Sequence, residues 1–288
     1  MKSSRSAGVL LVLTSAFLFS LAGIFVKGVT ADTWTIVFWR SLFAALFLLA
    51  VIGYRQSIRT ELIAIDRAGL LASLVGASGI LAFVAAFKFI PVANVSFIYA
   101  TAPLITAVFA WAWLRESPQL KTILASCIAI LGVAIIFASS LEQASIQGNL
   151  LALLMTIAAS LYICIYRRFP NTPVIGPIFI QSAILIPVAA CFVNPFSAVF
   201  FEILIMALFG IVFAIAIGCL ALGARRLQPS ETSLLSSVET PLAPLLAFLV
   251  LSELPSSSTF YGGLVVLVAV IASQVTFQST RGQRMVKI

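Results

Sequence analysis

The chain has 288 residues, of which 62% are hydrophobic and only 9% charged, with a net charge of +8 at neutral pH. Soluble domains carry about 25% charged residues, so this composition excludes a soluble globular fold and points to an integral membrane protein. The basic residues are spread over many short connections, which excludes a nucleic-acid surface and matches the pattern that orients helices in a bilayer.

A helix needs about 20 apolar residues to cross the hydrocarbon core, and the chain offers ten such runs. The first, 7–28, follows Lys2 and Arg5; its apolar stretch from Ala7 to Val26 exceeds the roughly 7–15 residues of a signal-peptide core. It is read as an uncleaved first span. The second, 33–53, carries Trp34, Trp39 and, about seven residues in, Arg40. The third, 68–87, has Ala68, Ala72 and Gly76 at four-residue spacing, a stripe that lets helix backbones approach closely. The fourth, 91–114, opens at Pro91, contains Asn94, Ser96, Tyr99, Thr101 and Pro103, and is followed by Glu116. The fifth is 121–140, and the sixth, 148–167, carries Ser160, Tyr162 and Tyr166. The seventh is 173–193, with Gln181; the eighth, 203–223, has a second small-residue stripe, Gly210, Ala214 and Gly218. The ninth, 229–251, opens at Pro229 and contains Thr232, Ser233, Ser236, Ser237, Glu239, Thr240, Pro241 and Pro244; the tenth is 258–278. The expected fold is an all-α integral membrane protein of ten transmembrane helices.

The ten runs are a duplication. Lys88 to Pro118 reads KFIPVANVSFIYATAPLITAVFAWAWLRESP, and Arg226 to Pro255 reads RRLQPSETSLLSSVETPLAPLLAFLVLSELP. Pro91 matches Pro229, Pro103 matches Pro241, and Glu116 and Pro118 match Glu253 and Pro255 after a one-residue deletion. Gly8, Ser20 and Lys27 align with Gly148, Ser160 and Arg167, and Phe38, Arg40 and Ser41 with Phe179, Gln181 and Ser182. The expected units are 1–140 and 146–279, followed by a short basic tail, 280–288.

Five helices per unit is an odd number, so the second unit enters the membrane inverted. Charge agrees. With the N-terminus cytoplasmic, the cytoplasmic side holds Lys2, Arg5, Arg55, Arg59, Arg67, Arg115, Lys121, Arg167, Arg168, Arg225, Arg226, Arg281, Arg284 and Lys287, and the outer side Lys27 and Lys88. Both termini are then cytoplasmic. Inverted repeats are a recurring build of secondary transporters.

Glu239 is the sharpest candidate for function. It lies near the bilayer midplane, where an ionised side chain costs about 2.5–3.5 kcal/mol on insertion scales, so it faces a partner or a water-filled cavity, or holds a proton. A structural hydrogen bond is the plainer role. Its repeat mate is Thr101, and both precede a proline. Pro103 and Pro241 each remove a backbone hydrogen bond, freeing the carbonyls of Tyr99 and Ser237, and Pro244 does the same for Thr240. Tyr99, Thr101, Ser237, Glu239 and Thr240 therefore form the expected substrate-binding or coupling set, with Pro103, Pro241 and Pro244 as helix kinks. Two roles fit Arg40: pairing with a carboxylate, including a solute's, or snorkelling to the outer interface beside Trp39. Tyr162 and Tyr166 share a helix face and either line a cavity or pack. Glu116 and Glu253 read as structural helix ends. Cys127, Cys164, Cys191 and Cys219 each sit alone in an apolar segment and read as core residues.

With no histidine, no CxxC and no carboxylate pair at a catalytic spacing, no metal, cofactor or enzymatic reaction is expected. The Trp39–Arg40 pair, the hairpin AAFKFIPVANVSFIYATAPLITAVFAWAWLRE and its second copy ending ETPLAPLLAFLVLSE resemble the EamA-type members of the drug/metabolite transporter superfamily over nearly the whole chain. The resemblance implies an inner-membrane carrier with a cavity between two repeats, spans five and ten at the periphery, and a small metabolite as solute, commonly exported. The expected function is secondary transport of a small polar or amphipathic, amino acid-like solute by alternating access. It would be driven by protons or the solute gradient, as there is no nucleotide-binding motif. A membrane scaffold or accessory subunit is the alternative, and it would show no solute flux. The oligomeric state is left open.

Overall fold

A computed structural model describes residues 2–56, 58–115, 124, 127–128, 130–132, 134–135, 146–254, 256–257 and 260–268. In chain order the helices are α1 (Lys2–Ser20), α2 (Ala22–Lys27), α3 (Thr33–Tyr54), α4 (Arg67–Phe89), α5 (Val92–Tyr99), α6 (Ala102–Leu114), α7 (Ile146–Arg168), α8 (Ile175–Ala190), α9 (Phe200–Ala224), α10 (Pro229–Ser236) and α11 (Glu239–Leu251). Residues 260–268 are also helical, and the described residues contain no strand. Six helical stretches are long and apolar enough to cross a membrane: Arg5–Lys27, Thr33–Tyr54, Arg67–Phe89, Val92–Leu114, Ile146–Arg168 and Phe200–Ala224. The chain is a multi-pass, all-helical membrane protein.

These helices coincide with predicted spans one to four and six to nine. Most of predicted span five, the second half of span ten and the 280–288 tail lie outside the described residues. Three spans differ from expectation in being broken rather than continuous. The first divides at Leu21, the fourth at Ala100–Thr101 and the ninth at Ser237–Val238. Two of the three prolines read as helix kinks stand just after these breaks. Pro103 is the second residue of α6 and Pro241 the third of α11. In a first turn the amide has no intrahelical partner, so proline is tolerated there. Pro244 alone of the three lies inside a helix.

Acidic side chains fix several helix starts. Asp32 accepts from the amides of Trp34 and Thr35 at 2.8 and 3.1 Å and caps α3. Burial by itself would raise its carboxyl; the hydrogen bonds from Thr35 and Trp34 outweigh that and hold it below the usual carboxylate range. Asp66 caps α4 through Gly69. Glu61, in the turn before α4, accepts from Ile175 and Gly176 at 2.9 and 3.0 Å and caps α8 from the other half of the chain.

Among the described residues, the most extensive helix contacts join the first half of the chain to the second. The helix α4 lies on α7, as α1 lies on α9; α4 lies on α8, as α3 lies on α9; α6 meets α7, as α11 meets α1; and α5 meets α11, as α6 meets α10. Each contact turns into its counterpart when the helices that the sequence alignment would pair are exchanged, and α3 meets α8, its counterpart in that alignment. Directions can be read from the bonds. Ser160 donates to the Ala102 carbonyl and Cys164 to that of Thr106, so α6 and α7 run parallel. Leu114 and Ile146 therefore lie on opposite faces of the helical layer. Ser15 donates to Ala216, and Gly223 lies on Val12, so α1 and α9 run antiparallel.

The two faces carry different charge. One holds the Arg5–Glu231 ion pair and the Asp66–Thr172 hydrogen bond, with Arg55, Arg59, Arg67, Arg115, Arg167, Arg168, Arg225 and Arg226 at its helix ends. On the other, Lys27 and Lys88 are the described basic residues, set among Asp32, Glu202 and Glu253. Trp39 donates to the Pro195 carbonyl on this second face, while Trp113 packs on Phe169 at the first.

Glu253 ties three segments together on the second face. One oxygen accepts from the Val92 amide at the start of α5 at 2.7 Å, and the other pairs with Lys27 at 3.0 Å. The sequence placed Glu253 as a structural helix end, and its bonds reach across to the other repeat. Glu253→Gln should raise hydrogen exchange in 22–27 and 92–95 about fivefold, the size of a loss near 1 kcal/mol at a partly exposed pair. Unchanged exchange there would mean that Glu253 does not tie these segments together.

Candidate solute cavity

The breaks in the fourth and ninth spans set the site. Because α11 begins at Glu239, its carboxyl sits at the positive end of a helix dipole inside the membrane layer. The side chain is buried, and among the described residues no basic group lies within ion-pair distance of it. On the opposing broken helix, the Tyr99 hydroxyl lies beside that of Ser236 and within electrostatic reach of Glu239. Ser236 in turn donates to the Thr232 carbonyl at 3.0 Å.

Glu239 and Tyr99 open onto a cavity with about 70 Å³ of room for the centres of water-sized molecules, enough for several waters. Its wall comes from both halves. Phe19 of α1, Gly76, Gly79 and Phe83 of α4, Met155, Ala158 and Tyr162 of α7, and Phe213, Ile217 and Leu220 of α9 belong to it. Glu239 is the one carboxyl among the described residues of this wall, and the remaining surface is mainly aromatic and aliphatic. Phe213 packs edge-on to Phe19 and Phe83 at 4.9 and 5.3 Å between ring centres, which holds the aromatic side of the wall in place.

The other expected site residues are close by but turned elsewhere. Thr101 is buried and donates to the Ile98 carbonyl at 2.7 Å, within its own broken span. Ser237 donates to the Ser233 carbonyl at 3.0 Å. The Ser237 carbonyl, expected to be free, accepts from the Thr240 amide at 3.0 Å, because the chain makes one tight turn between α10 and α11. Thr240 is fully buried outside the wall, and its hydroxyl has no partner among the described residues.

Arg40 does not take the interfacial course. It is 1% exposed, so it does not snorkel, and it meets no carboxylate among the described residues. Its guanidinium instead lies 4.1 Å from the centre of the Phe213 ring and 5.0 Å from that of Phe209, a cation–π stack. The close approach of α9 to α3 that this requires rests on Gly210, whose backbone touches the Arg40 carbonyl.

The two tyrosines divide between the two roles left open by sequence. Tyr162 faces the cavity. Tyr166, a turn on, donates to the Pro173 carbonyl at 3.2 Å and stacks under Arg225. Phe19, Phe83, Met155 and Phe213 were not singled out from sequence. Nothing marks a cavity-lining apolar residue when most of the chain is apolar.

Residues 6–138 match the EamA-like transporter family. No curated protein matches the chain in sequence. The fold is similar to that of a protein known from a crystal structure, 18% identical, with a TM-score of 0.70 over 94% of this chain and 99% of that one. At that identity the shared property is the fold.

Proposed function

We propose that this chain is an EamA-type secondary transporter of the drug/metabolite superfamily. It moves a small polar or amphipathic metabolite across the inner membrane, in the direction of export, by alternating access. The observation that carries this reading is the cavity whose described wall is built from both halves and holds one acid, Glu239, at the start of a broken helix. A half-helix N-terminus at mid-membrane is a recurring way to hold a charged group or coupling ion in transporters. The family match over the first half supports it.

In this reading the two five-helix repeats are oppositely oriented, and the paired contacts between halves are the interface that rocks. The arginine-rich face is cytoplasmic by the positive-inside rule, which puts both termini inside. Glu239 binds the solute or carries the coupling proton. With Tyr99 it forms the centre of the site; Thr101, Ser237 and Thr240 shape the two helix breaks around it.

Purified protein in liposomes tests the reading. A thermal-shift screen of metabolites comes first, because a ligand at 100 times its Kd stabilises the folded state by about 2.7 kcal/mol. A hit should then show counterflow: labelled solute accumulates in vesicles preloaded with the unlabelled compound. Stabilisation without flux would leave a binding protein, and neither stabilisation nor flux would favour a scaffold or accessory subunit.

A further inference from the structure

Between the cavity and the arginine-rich face stands a short ladder of stacked groups. Tyr162 belongs to the cavity wall. Its ring lies 4.9 Å from that of Tyr166, one turn further along α7. The Tyr166 ring is covered in turn by the guanidinium of Arg225, 5.4 Å from its centre. Tyr166 is buried and Arg225 half-buried. Arg225 follows the last residue of α9, and α7 ends at Arg168, just beyond Tyr166. Three rungs therefore lead from the wall to the helix ends, with Arg225 outermost.

The side chain of Arg225 is lightly held. Its backbone amide bonds to the Ala221 carbonyl, which anchors the chain at that point. The guanidinium has no ion pair among the described residues, and Nε and Nη2 are buried without a hydrogen-bond partner. The nearby acids are committed elsewhere. Glu61 accepts from the Ile175 and Gly176 amides, and Asp66 from the Gly69 amide and the Thr172 hydroxyl. The Tyr166 hydroxyl donates to the Pro173 carbonyl. What holds the guanidinium in place is its stack on Tyr166, which favours the closed position by about 2- to 30-fold. Hydration works against the stack, because buried N–H groups without acceptors gain water when the side chain swings out.

We propose that Arg225 is the plug of the cavity on the arginine-rich face. The cavity opens to that side when the guanidinium leaves the Tyr166 ring for water and the two tyrosines turn aside beneath it. This rests on the reading of the cavity as the transport site. Arginine suits the role because its flat cation covers an aromatic face and stays charged in both positions. Solute and water then reach Glu239 past Tyr166 and Tyr162.

The experiment labels a cavity cysteine from one face at a time. The full chain, with its four cysteines replaced by alanine, carries Met155→Cys in the wall. It is held in sealed right-side-out or inside-out membrane vesicles and treated with a membrane-impermeant methanethiosulfonate. A separate chain with Arg55→Cys, an exposed position on the arginine-rich face, identifies the vesicles that present that face. Arg225→Gln should raise labelling from the arginine-rich face about 2- to 30-fold and leave labelling from the other face unchanged. Should that variant fail to fold, Arg225→Lys, which keeps the charge and loses the flat stacking surface, should give a smaller rise on the same side. An equal rise from both faces would mean that Arg225 only stiffens the fold, and an unchanged rate in a folded variant would mean that it does not close the cavity; either result overturns the proposal. Counterflow tests the transport reading separately. A one-sided rise without counterflow would leave the plug and remove the transporter, and counterflow with unchanged labelling would do the reverse.

Discussion

Glu239→Gln leaves the protein folded in the membrane and lowers solute flux by about 10- to 100-fold, the range given by losing one charge-assisted hydrogen bond of about 1.5–3 kcal/mol. The substitution keeps volume and hydrogen-bonding atoms and removes the ability to ionise. Folding should be spared because Glu239 makes no ion pair with the described residues; its neighbours are the cavity and Tyr99. Flux should suffer because no other carboxyl among the described wall residues can replace it. If Glu239 carries the coupling proton, residual flux in the variant also loses its pH dependence. Flux and its pH profile are measured together with the amount of protein in the membrane. Full transport with an unchanged pH profile at normal protein level would take Glu239 out of the mechanism.

The second large effect is expected in packing. A Cβ on Gly210 would stand 2.2 Å from the Arg40 carbonyl oxygen and 3.1 Å from the Ala44 amide nitrogen. Both are backbone atoms, so no side chain can rotate out of the way, and α9 must move off α3. Overpacking of this kind costs about 1–3 kcal/mol, and here it also disturbs the Arg40 stack on Phe209 and Phe213. Gly210→Ala should therefore melt well below the unaltered protein in a thermal scan in detergent. Gly218→Ala is the control. It lies on the same helix, two steps of four residues further on, and the nearest atom to its Cβ is Ile178 Cδ1 at 3.8 Å, an ordinary contact, so its melting point should hold. Equal tolerance at both positions would show that the α3–α9 contact is looser than these distances imply.

These two glycines illustrate where sequence reading runs out. Gly210, Ala214 and Gly218 form one small-residue stripe, and spacing alone makes their members equivalent. They differ because one faces a backbone and the other a flexible side chain. Arg40 makes the same point for charge. Its sequence position allowed a solute carboxylate or the outer interface, and the structure gives it two phenylalanines from α9, residues nearly 170 positions away. The continuous fourth and ninth spans were the natural reading of two mainly apolar runs, since hydropathy counts apolar residues and is blind to one tight turn.

Membrane placement, the helical class and the approximate spans were legible in the chain, and Glu239 stood out in it as a candidate. They follow from local quantities: apolar run length, the cost of a lone acid in lipid, and the charge of short connections. The cavity was not. Its wall is assembled from α1, α4, α5, α7, α9 and α11, helices remote in sequence and apolar on most sides. Which apolar face meets a neighbour, which meets lipid and which borders an empty space depends on how the helices dock. Docking is set by close backbone approach at a few glycines and by capping carboxylates such as Glu61 and Glu253 reaching from one half to the other.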